Sequence, residues 1–151
     1  MILPQTVIAK RAVRGLLAGI SKTGGGQYDT VFRPVVEDDF SPQADVEVGL
    51  RFVGVNAPES EQTGVDEDIL VASIDVLCSR KLANDDTDIE DVTLIVLGDI
   101  KEILRRDRTL QASAVYLEIG DAEIGNHVDD GYYGCSLSVL FHVRQRQTSD
   151  F

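Results

Sequence analysis

The sequence predicts an α+β domain: a single antiparallel sheet of about five strands with two helices packed on one face, in the order α-β-β-β-α-β-β. Three observations lead there. Roughly residues 5–20 and 88–106 repeat apolar side chains at helical spacing, whereas 46–55, 69–79 and 132–147 alternate them with period two. The strands follow one another mostly through loops, which favours antiparallel pairing. At 151 residues the chain has the size of one domain, read as spanning 1–151. Such a chain buries about 70% of the surface its unfolded form exposes, so a core needs neither metal nor disulfide.

In the first helix, Ile8, Ala12, Leu16 and Ile20, joined by Val13 and Leu17, form the apolar stripe, and Lys10, Arg11 and Arg14 the polar side. Thr6 is the expected N-cap, with Pro4 just ahead of it. The run Gly24-Gly25-Gly26 has too much backbone freedom to stay helical. Tyr28 to Val36 reads as a strand that Pro34 confines to an edge or a bend, and residues 37–42 read as a turn. In the next strand Val46, Val48, Leu50 and Phe52 alternate with Glu47, Gly49 and Arg51, the pattern of a strand with one wet face. Residues 56–67 are polar, aperiodic and contain Pro and Gly, so a long exposed loop is expected.

Ile69 to Ser79 puts Leu70, Ala72, Ile74, Val76 and Cys78 on one face. The other face holds Ile69, Val71 and Leu77, broken by Ser73 and Asp75, which predicts partial cover there too. A linker from Arg80 to Asp85 leads to a second helix capped by Asp86 or Asp88, with Ile89, Val92, Val96, Ile100, Ile103 and Leu104 in one stripe as far as Arg106. Gly98 costs that helix about 1 kcal/mol relative to alanine. Ala114 to Ile119 is the next strand and Gly120 to Gly131 a polar turn region. In the final strand Tyr133, Cys135, Leu137, Val139, Phe141 and Val143 face inward, leaving His142 on the solvent phase.

Hydrophobic residues make up 43% of the chain and charged residues 26%, which excludes a disordered or collagen-like protein. No apolar run approaches the roughly 20 residues of a membrane helix. Lys10, Arg11 and Arg14 interrupt any signal-peptide core, so the expectation is a soluble protein kept in the cytoplasm. The net charge of −12 is unevenly spread: residues 1–36 hold five bases and one acid, 37–99 three bases and seventeen acids, and 100–151 six bases and eight acids. Phosphate binding depends on Lys and Arg, so this balance argues against gripping nucleic acid. It suits solubility, a surface that repels DNA, or copies meeting basic face to acidic face.

Cys78 and Cys135 are read as buried free thiols; a disulfide would need their strands to be neighbours, and their spacing fits no zinc site. Catalytic patterns are absent: there is no GxSxG, no GxxxxGK[ST] and no GxGxxG. His127-Val128-Asp129-Asp130 could offer a metal a few ligands, but such turns are common. The run Asp85 to Asp91 lacks the glycine and the closing glutamate of a calcium loop. Its acids suit a helix N-terminus, as Lys101, Arg105, Arg106 and Arg108 suit the C-terminus. No enzyme, cofactor or metal is expected.

Taken in order, the amphipathic N-terminal helix, the proline-bearing strand VFRPVV, the segment ILVASIDVLCSR, the helix IEDVTLIVLGDIKEILRRDRTL and the closing YYGCSLSVLFHVRQRQ resemble the tail terminator (tail completion) proteins of tailed bacteriophages. Residues 68–146 carry the resemblance through strand, polar linker, helix ending in LRRDRTL, strand, acidic loop and a long last strand; the first half matches in element order alone. The resemblance implies a structural virion protein: a hexameric ring that caps the finished tail tube, stops its polymerisation and docks the head connector. Its partners would be further copies of itself, the tube protein, the connector or neck, and the tail sheath. DNA would pass through the lumen unbound, and no membrane would be involved.

For this reading the candidate partner-facing residues are Asn56, Glu59, Glu61, Asp66 and Glu67 in the loop, and His127, Asp129 and Asp130 in the later turn. Arg105, Arg106 and Arg108 are candidates for subunit contacts. Solvated loops and a helix-dipole complement account for the same residues without partners. Two rival readings share the pattern: another neck or tail subunit (head–tail joining or tube-like), and a small-molecule-binding α+β domain with a pocket beside 56–67 and 120–131.

Overall fold

The computed structural model describes residues 3–20, 26–33, 44–56, 67–107, 116–125 and 131–144. The fold is α+β. Helices α1 (Gln5–Ala18) and α2 (Ile89–Arg106) accompany one five-stranded sheet of β1 (Val31–Arg33), β2 (Val46–Asn56), β3 (Glu67–Ser79), β4 (Tyr116–Ile124) and β5 (Tyr132–Arg144). A short 3-10 turn, Arg80–Leu82, occupies the expected linker. The strand order is β1-β2-β3-β5-β4.

Helix α1 begins one residue before Thr6, because the amides of both Val7 and Ile8 donate to the Pro4 carbonyl at 3.0 and 3.2 Å. The first turn therefore closes over Pro4, and Thr6 lies inside the helix instead of capping it. Asp88, not Asp86, caps α2: its carboxylate accepts the Asp91 amide at 2.8 Å, a contact worth about 1 kcal/mol. Glu90 and Asp91 lie in the first turn and Arg105 and Arg106 in the last, each beside the end of the helix dipole it complements.

Both helices cover the same side of the sheet, α1 against β1 and β5, α2 against β3 and β5, and each against the other. Ala9, Val13 and Leu17 of α1 and Val92, Val96, Ile100 and Leu104 of α2 meet the even-numbered apolar positions of β3 and the odd-numbered ones of β5. Those are the strand phases the alternation predicts. Leu70, Phe141 and Leu117 lie side by side across three strands, and Phe52 meets Phe141 with ring centroids 6.5 Å apart.

The sheet is mixed rather than wholly antiparallel, since β1 runs parallel to β2, with Val31 opposite Glu47 and Arg33 opposite Gly49. The stretch between Arg33 and Val46 has the length a parallel connection needs, about a dozen residues; the expected turn at 37–42 and the end of the first strand at 34–36 lie outside the described residues. Strand β1 is also shorter than expected, because residues 28–30 are not strand. The outward phase of β2 is wet only at Arg51, which is exposed; Glu47 and Gly49 are buried. Strand β4 extends to Ile124, into the expected turn. A register shift between Ile119 and Ala122 lets Ala122 to Ile124 keep pairing with Leu137 to Cys135, and Gly120 makes room, since a Cβ there would meet the Ser138 carbonyl at 3.1 Å. Asn56 and Glu67, expected in a loop, are strand residues.

Cys78 and Cys135 lie on neighbouring strands, on the helix-covered face, and both are free and buried. Burial pushes the Cys78 thiol up from 9.0 to about 11, against a hydrogen bond with Thr93 that lowers it. Burial, then the neighbouring Cys78 and Asp75, takes Cys135 to about 12, with Lys101 working against them. Both folded values exceed the unfolded one, so the contribution to stability is complete below pH 9.0 and is lost as pH rises toward 11 to 12. A thiol held that high carries roughly a hundredth of the thiolate of an ordinary one. At about pH 8 a disulfide reagent should therefore modify the native chain at least ~100-fold more slowly than the urea-unfolded chain. Comparable rates would show that this face is not closed by the helices.

Candidate functional site

The side of the sheet opposite the helices is the candidate contact surface, and the pairing registers build it row by row. In the first row Asn56, Ile69, His142 and Tyr116 are side by side, and in the second Gly54, Val71, Leu140 and Glu118. Ile69, Val71 and Leu140 are half-buried, and Tyr116 is 46% exposed. This end of the face is mainly aliphatic and aromatic. The next rows are polar: Arg51, Ser73 and Ser138, then Gly49, Asp75, Ser136 and Glu123.

His142 shares the helix-free face with the other even positions of β5, as its phase predicts, yet it is only 8% exposed. Its ring stacks on Tyr116 with centroids 3.9 Å apart, and its Nε2 lies 3.2 Å from a carboxylate oxygen of Glu118. The cover comes from a neighbour that alternation within β5 does not reveal. Asp75 anchors the polar half. One of its carboxylate oxygens accepts the Ser136 hydroxyl at 2.8 Å and the Ser73 hydroxyl at 3.0 Å, while the other lies 3.5 Å from Arg51. Arg51 is half-exposed, so that ion pair contributes at most about 1 kcal/mol. A carboxylate already engaged by two hydroxyls and a guanidinium is suited to fixing strand register, and poorly suited to accepting a substrate proton.

Glu47 is the buried charge on this face. Its Oε1 lies 3.0 Å from the Arg33 guanidinium and accepts the Ala44 amide at 3.1 Å. This pair joins β1 to β2 and explains how an acid expected in water comes to be inside. Among the described residues no group of three or more His, Cys, Asp or Glu side chains could hold a metal ion, and no helix is long and apolar enough to cross a membrane.

Of the residues singled out from sequence, the structure describes Asn56, Glu67, Arg105 and Arg106. Asn56 ends β2, exposed, opposite Ile69, and Glu67 begins β3 opposite Arg144. Strand β4 starts at this same end, with Tyr116 opposite His142; Arg105 and Arg106 are exposed in the last turn of α2. Arg106 lies 3.5 Å from Glu102 one turn earlier. At the other end of the sheet, the Gly125 amide donates to the Gly134 carbonyl at 2.7 Å and the Arg80 amide to the Gly131 carbonyl at 2.9 Å. Glu59, Glu61, Asp66, Arg108, His127, Asp129 and Asp130 lie outside the described residues. Sequence reasoning missed Tyr116, Glu118 and Leu140. The signal for this face was the second apolar phase of β3, Ile69 and Val71.

Beyond the core, β2 continues as an exposed stretch. After a register shift between Phe52 and Gly54, Val53 is 64% exposed and Val55 55%, leaving aliphatic side chains in water at the Asn56 end. No protein-family model matches this chain, and no curated protein matches it.

Proposed function

We propose that this chain is a structural subunit of a bacteriophage tail: a tail terminator whose copies form a hexameric ring that caps the tube, ends its polymerisation and docks the head connector. The observation that carries this reading is the apolar surface left outside the core: Val53 and Val55 are exposed at the Asn56 end of β2, and Ile69, Val71 and Leu140 are half-buried on the helix-free face. A ring subunit needs such a lateral surface for its own copies. The resemblance of residues 68–146 supports the same reading. The net charge of −12 suits a lumen through which DNA slides without adhering. In this reading the protein is assembled in the host cytoplasm, resides in the virion, and acts by contact and not by catalysis.

Light scattering of the purified chain tests it. The expected particle has about six times the subunit mass of 16.5 kDa, and adding it to growing tail tubes should arrest their elongation. Filter binding should retain no duplex DNA even at low salt. A monomer that leaves tube growth unchanged would overturn the proposal.

A further inference from the structure

We draw no further inference here: the strongest candidate, the apolar patch that Ile69, Val71, Leu140 and Tyr116 form on the helix-free face of the sheet, belongs to the surface already described, and nothing in the structure shows what covers it.

Discussion

Phe141→Ala is expected to be the most damaging single truncation, lowering stability by about 4 kcal/mol. Phe141 is fully buried, sits between Leu70 and Leu117 in one row of the sheet and meets Phe52. Its removal opens a cavity where three strands and the helix layer converge, and the rigid strands cannot collapse into it. For a chain of this length that corresponds to a fall in melting temperature of about 12 °C. Thermal unfolding followed by circular dichroism checks it; a fall of only about 3 °C would mean that this end of the core is loosely packed.

Arg33→Ala should come next, at about 3 kcal/mol. The substitution removes the guanidinium that lies 3.0 Å from the fully buried Glu47 carboxylate. Breaking a buried pair from one side costs more than the pair itself contributes. The Arg33 side chain is 27% exposed, which keeps the effect at the lower end of that range. Removing both charges in Arg33→Met/Glu47→Leu should restore most of the loss, because neither partner then has to be desolvated alone. Urea unfolding of the two single variants and the double variant decides the matter. A cost below about 1 kcal/mol for Arg33→Ala would show that the pair behaves as a surface contact.

The helices were legible because their signals are local. The stripe from Val92 to Leu104 and the cap at Asp88 lie within one helix, and burial of the stripe follows from its spacing. The inward phases of β3 and β5 were legible for the same reason. Strand β4 was only half legible: Gly120 and Asp121 look like a turn, and only pairing with β5 shows them to be a register shift within a continuing strand. The candidate surface was harder still. Neither Tyr116, Glu118 nor His142 carries a signal alone, and their association exists because β4 and β5 pair in one register.

By itself, then, the sequence determined the α+β class, the extents of both helices to within about two residues, and the buried phase of the long strands. It also determined the imbalance of charge between residues 1–36 and the rest. Only the tertiary structure decided that β1 lies parallel to β2, that β5 separates β3 from β4, that Glu47 is buried against Arg33, and that β1 and β4 form the two edges. The division has a physical cause. Helix turns and strand alternation depend on neighbours a few residues away, whereas strand order and register are chosen by contacts between residues far apart along the chain, and the free energies of those contacts appear only once the partners have met.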